Sequence, residues 1–104
     1  MGKMQRDKGY RGEHEIETIL KKKGFNAKRV PLSGASDFAK GDIVLEGLKC
    51  EVKRRKKINK MFYEIAEKND LAFVRGDRKG WLVIMTLDKF ISLFGEVIKN
   101  EKEA

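Results

Sequence analysis

The stretch Gly41-Asp42-Ile43-Val44-Leu45-Glu46-Gly47-Leu48-Lys49-Cys50-Glu51-Val52-Lys53 decides the fold. Residues 42–45 and 48–53 have the short, alternating pattern of strands, and Glu46-Gly47 between them is a two-residue turn. A turn centred there makes Leu45 face Leu48, Ile43 face Cys50 and Asp42 face Glu51. Directly opposed residues point to the same side, with Cβ atoms about 4.5–5.5 Å apart. Strand alternation then gives an apolar face of Ile43, Leu45, Leu48, Cys50 and Val52, and a chemical face of Asp42, Glu51 and Lys53. Two carboxylates side by side repel, and a divalent cation relieves the repulsion. Mg²⁺ suits such a pair, since it uses one or two carboxylates plus waters and phosphate oxygens. The alternative is an exposed charged strand face on which Lys53 neutralises one acid.

Upstream, residues 10–23 form a helix: Ile16, Ile19, Leu20 and Lys23 follow the 3–4 spacing of one face, with Lys23 burying its stem. Gly24 stops it, after three lysines that suit the negative end of the helix dipole. Glu13 stands three residues before Ile16 and seven before Leu20, at the leading end of this apolar face. It therefore points toward the sheet as a third carboxylate. Its other reading is favourable charge in a helix first turn. Residues 1–9 are polar and are expected to be a mobile basic arm.

Between helix and hairpin, residues 25–32 are a first strand and residues 33–37 a loop. Downstream, residues 60–69 are a helix with Met61, Phe62, Ile65 and Ala66 on one side. Residues 71–75 and 81–85 are strands around the turn at 76–80. Thr86 caps a last helix with an apolar stripe of Leu87, Phe90, Ile91, Phe94, Val97 and Ile98. Residues 99–104 are a charged tail. The order helix, three strands, helix, two strands, helix makes an α/β fold in which helices flank a central mixed five-stranded sheet.

The 104 residues have a mass of 12.0 kDa and are expected to form one domain over 1–104. No apolar run approaches the ~18 residues of a membrane span, and the charged N-terminus lacks a signal-peptide apolar stretch. One cysteine and one histidine exclude an internal disulfide and a Cys/His zinc cage. The expected place is the cytoplasm. The formal charge is +8, unevenly distributed: residues 1–60 hold 17 Lys+Arg against 8 Asp+Glu, and residues 61–104 hold 7 against 8. Such asymmetry points to a polyanion, with nucleic acid the usual one.

Three groups of residues together resemble a known family. Lys8-Gly9-Tyr10-Arg11-Gly12-Glu13, followed by Leu20 and then Gly24-Phe25 eleven residues after Glu13, resembles the opening of archaeal and phage Holliday junction resolvases. Arg29-Val30-Pro31-Leu32-Ser33-Gly34 is similar to their strand and loop with Arg and Ser-Gly. Gly41-Asp42-Ile43 and Glu51-Val52-Lys53 resemble the hairpin of the PD-(D/E)XK nuclease superfamily, with Gly41 where that superfamily often has proline. The likeness covers about residues 8–57; residues 61–104 carry no matching motif.

The resemblance implies a restriction-endonuclease-like (PD-(D/E)XK) fold, divalent-metal dependence, a homodimer and cleavage of branched DNA. It assigns Glu13, Asp42, Glu51 and Lys53 to the catalytic set and places Ser33 near the scissile phosphate. On this reading Asp42 and Glu51 bind Mg²⁺, or Mn²⁺ as a substitute. The Val52 carbonyl is a further ligand, and Glu13 binds directly, through water or at a second metal. Lys53 orients the attacking water or offsets the charge of the pentacovalent phosphorane. Asp37 is a competing acid, read as a solvated loop residue.

Arg54, Arg55, Lys56, Lys57 and Lys60 follow the hairpin. With Lys3, Arg6, Lys8, Arg11, Lys28 and Arg29 they form a phosphate-binding surface, and their alternative is a solvated basic stretch or localisation signal. Glu15, Glu17, Glu64 and Glu67 are assigned to solvated helix faces. His14 is placed at the surface and Cys50 in the core; Phe62 and Tyr63 are read as packing at a dimer interface rather than as a wedge at a branch point, and Trp81 as a core or interface residue rather than a base-stacking platform. Two other functions remain open: a PD-(D/E)XK nuclease with a flap, nick or duplex substrate, and a non-catalytic DNA-binding module.

Overall fold

The computed structural model describes residues 3–30 and 43–103, with side chains over 11–30 and 43–101. The chain divides into two compact units, residues 1–55 and 56–104.

The first unit opens with α1 (Lys3–Lys22), which starts seven residues ahead of the expected position, so the backbone of residues 3–9 is helical. No proline interrupts the sequence there, and adding a turn to an existing helix is far easier than nucleating one. The helix ends one residue early, and Lys23 is exposed rather than covering the core with its stem. The stop is a Schellman motif. Gly24 takes a left-handed φ of 92°. Its N–H donates to the Lys21 carbonyl and that of Phe25 to the Leu20 carbonyl, both at 3.0 Å. Leu20 and Phe25, the pair this motif commonly packs together, are both buried.

Three short antiparallel strands follow: β1 (Ala27–Arg29), β2 (Ile43–Leu45) and β3 (Leu48–Cys50), in the spatial order β1-β2-β3. The β2–β3 register is the one expected from the turn, with Leu45 opposite Leu48 and Ile43 opposite Cys50. Glu46 and Gly47 both have positive φ, 48° and 83°, as the primed hairpin turn requires. In this register the partners of residue 51 onward precede Ile43 and lie outside the described residues. α1 packs along β1. The core of this unit is Leu20, Phe25, Ala27, Ile43 and Leu45, side chains whose full burial contributes about 1.5–3 kcal/mol for each large aliphatic or aromatic residue.

In the second unit, α2 (Lys60–Lys68) starts at Asn59, whose side chain accepts the Met61 N–H at 2.9 Å. Asn69 closes it by donating to the Ile65 carbonyl at 2.9 Å. β4 (Ala72–Val74) and β5 (Leu82–Ile84) form a second antiparallel sheet of two strands. Thr86 caps α3 (Leu87–Glu103) as expected, its hydroxyl accepting the Lys89 N–H at 3.1 Å, and the helix takes in most of the charged tail. Lys89 also pairs with Asp70 at 2.8 Å.

The expected single mixed sheet of five strands is not what the described residues form. Their five strands make one antiparallel sheet of three and another of two. β2–β3 and β4–β5 are each antiparallel neighbours in sequence, and the two sheets belong to different units. No described helix is long and apolar enough to cross a membrane.

Candidate metal and nucleic-acid site

The site expected from the sequence is built on two pieces of the first unit: the middle of α1 and the segment that leaves β3. They meet at Gly12, which is buried. A Cβ at Gly12 would lie 3.4 Å from Arg54 Cβ and 3.7 Å from Val52 Cγ1. A methyl group there would be in ordinary contact with the segment, and a larger side chain would have to push it away. Glu13, half-buried, is the next residue of the helix, and Glu51 and Lys53, both exposed, flank Val52. The structure thus brings α1 at Gly12 against the segment that leaves β3.

The sheet register assigns the faces. Ala27 and Arg29 lie opposite Leu45 and Ile43, and these lie opposite Leu48 and Cys50, so the six share the face that carries the core. Leu48, at the turn, is nonetheless exposed. Lys28, Val44 and Lys49 share the other face. Alternation from Lys49 carries Glu51 and Lys53 to that face, and Val52 to the helix side where Gly12 meets it.

Asp42 and Ser33 lie outside the described residues. Among the described residues no three His, Cys, Asp or Glu side chains come close enough together to hold a metal ion. Glu13 and Glu51, with the Val52 carbonyl, would offer hard oxygen donors, which is the chemistry Mg²⁺ prefers.

Of the expected phosphate contacts in this unit, Arg11, Lys28, Arg54 and Arg55 are exposed. Lys8 is on α1, with its side chain not described. Arg29 is half-buried and on the core face, with its own N–H bound to Glu17. Lys28, one residue earlier, is the cation that β1 presents on the open face. Lys49 belongs there too; the sequence reading passed over it, although stepping back two residues from Glu51 finds it. In the second unit, Lys56, Lys57 and Lys60 are exposed, and Lys60 makes a solvated 3.7 Å pair with Glu64.

Glu17 differs most from expectation. Instead of lying on a solvated face, its side chain is only 16% exposed and 3.3 Å from Lys21 Nζ. Its Oε2 accepts the Arg29 N–H at 2.8 Å, tying α1 to β1. That backbone N–H holds the Glu17 carboxyl below its ordinary range, with Lys21 adding to the effect and burial opposing it. Glu46 ties the other end of the sheet: its N–H donates to the Asn26 carbonyl at 2.8 Å, and its carboxylate accepts the Asn26 N–H at 2.7 Å. The first strand of the sheet is thus bonded to the helix.

His14 is exposed, as expected. Cys50 is half-buried, and burial pushes its thiol up from the ordinary value, against the Leu45 backbone N–H. It is therefore a poor nucleophile.

A family model described as archaeal Holliday junction resolvase (Hjc) matches residues 4–89. No curated protein and no solved structure matches the chain closely enough to show kinship. The family match runs from α1 through both sheets to the first turn of α3, well over half of the sequence, and on that ground the chain belongs to the archaeal Holliday junction resolvase family.

Proposed function

We propose that the protein is a Mg²⁺-dependent endonuclease that resolves four-way DNA junctions by paired phosphodiester hydrolysis, working as a homodimer of one restriction-endonuclease-like nuclease domain per chain. The observation that carries this reading is the seating of Gly12 against Val52 and Arg54, in a chain of a junction-resolvase family. This contact sets α1 beside the segment that carries Glu51 and Lys53, and a protein that merely binds phosphate has no use for Glu13, Asp42 and Glu51 among its basic residues.

Glu13, Asp42 and Glu51, with the Val52 carbonyl, would hold the ion, and Mn²⁺ has the same preference for oxygen. When bound, the ion relieves charge on the phosphoryl oxygens and makes a water acidic enough to attack near neutral pH. Lys53 supplies a positive charge to the attacking water or to the developing phosphorane. Ser33 donates a hydrogen bond to a phosphate oxygen. Lys8, Arg11, Arg54, Arg55, Lys56, Lys57 and Lys60 hold neighbouring phosphates, and the exposed Lys28 and Lys49 extend this set. A dimer matches the two-fold symmetry of a four-way junction, which needs two cuts.

The test incubates labelled four-way junction, linear duplex and flap DNA with the protein in Mg²⁺ or in EDTA. Symmetric nicks in the junction alone, lost in EDTA, are the expected result. Equal cutting of duplex or flap moves the substrate to another DNA. Binding in Mg²⁺ without any cut overturns the enzymatic reading.

A further inference from the structure

The second unit carries an aromatic sheet face that the nuclease reading leaves unused. Phe73 and Val83 are directly opposed in the β4–β5 pair and are 64% and 54% exposed. The same register sets Arg75 opposite Trp81, and the Arg75 guanidinium carbon lies 5.5 Å from the Trp81 ring centroid. Residues two apart on a strand share a face, so Phe73, Arg75, Trp81 and Val83 stand on one side of the sheet. Trp81 is 66% exposed, so of the two expected placements, core or interface, it is not in the core. Arg78 and Lys79, in the turn between the strands, are also exposed, against the single acid Asp77.

We propose that this face is a stacking platform for the unpaired bases of single-stranded or locally opened DNA. Exposed aromatic rings offer π-faces to bases of any sequence, and cations beside them meet the phosphates that link those bases. Charge complementarity selects this occupant over a second copy of the chain. Self-association through this face would bring two sets of Arg75, Arg78 and Lys79 together, whereas DNA neutralises them. Duplex DNA buries its π-faces in its own stack, so the platform discriminates in favour of unpaired bases. The proposal goes beyond hydrolysis and rests on the DNA-processing reading only for the identity of the polymer.

Trp81 is the only tryptophan, so its emission reports directly on the platform. The full chain, in EDTA, is titrated with oligodeoxythymidylate and with a duplex of equal phosphate count. The single strand is expected to quench Trp81 strongly and the duplex weakly. In anisotropy with labelled DNA, Trp81→Ala is expected to weaken single-strand binding about 10-fold or more, and Trp81→Phe to restore most of it. Single-strand binding without a change in Trp81 emission overturns the proposal. So does emission that shifts with protein concentration in the absence of DNA and is insensitive to oligonucleotide, because a second copy then covers the face. No cleavage occurs in EDTA, so this outcome and the Mg²⁺ junction assay can fail independently.

Discussion

Glu17 Oε2 accepts the backbone N–H of Arg29 at 2.8 Å, so one carboxylate of α1 holds the first strand of the sheet in place. The bond crosses twelve residues of sequence and is largely shielded from water. Glu17→Ala removes a charge-assisted bond and leaves a backbone donor unsatisfied. The expected loss is about 1–3 kcal/mol at neutral pH by urea denaturation. The lowered carboxyl sets the sign of the pH dependence. Its contribution is fully present above the ordinary carboxyl value of 4.5 and is lost as pH falls through the lower folded value. The gap between wild type and Glu17→Ala therefore narrows on acidification below pH 4.5, and a gap that widens there contradicts the assignment.

Gly12 faces Arg54 Cβ at the distance of ordinary contact for one added methyl group. Gly12→Ala is expected to be neutral or stabilising, because alanine favours a helix interior by up to about 1 kcal/mol over glycine. Gly12→Leu has no such room and must push away the segment carrying Glu51 and Lys53. Its expected cost is about 1–3 kcal/mol of stability, with a loss of junction cleavage. Thermal melts of both variants, run beside the cleavage assay, check the contrast.

Asp42→Asn, Glu51→Gln and Lys53→Met each remove a charge from the proposed hydrolytic set while nearly keeping the side-chain size. Each is expected to lower single-turnover junction cleavage by at least about 100-fold. Junction binding in EDTA should be retained by the two carboxylate variants. Normal cleavage by Asp42→Asn and Glu51→Gln rejects the proposed metal set.

The basic segment predicts a salt response. Each phosphate contact contributes roughly −0.9 to the slope of log affinity against log salt on duplex DNA. Replacing Arg54 and Arg55 together with glutamine should flatten that slope by up to about 2, measured by anisotropy between low and moderate salt. An unchanged slope removes these two from the interface. Replacing Arg29 in the same way is expected to leave the slope unchanged and to lower stability, because its side chain is half-buried on the core face.

Much of this protein was legible before any coordinates, for local reasons. Glu46-Gly47 dictates a tight turn by its own backbone preferences, and the turn then dictates the opposition of Ile43 and Cys50. Gly24 ends α1 because a left-handed residue is needed there, and Thr86 starts α3 because its hydroxyl meets an otherwise unbonded N–H. The family was legible as well, since ordered short motifs separated by fixed spacings survive without knowledge of the fold.

Tertiary structure alone decided the rest, because it concerns which surfaces meet. A glutamate in a helix looks solvated until a strand end arrives beside it, as at Glu17. Whether Lys28 or Arg29 faces the open side depends on strand register, which no composition or charge count contains. Five strand-like segments do not say how they divide into sheets; among the described residues they pair as three and two. Trp81 has the hydrophobicity of a core residue, yet the fold leaves it 66% exposed. The sequence by itself determined turns, caps and kinship. Packing decided that α1 meets the segment after β3 at Gly12, because proximity between distant parts of a chain is a property of the folded state.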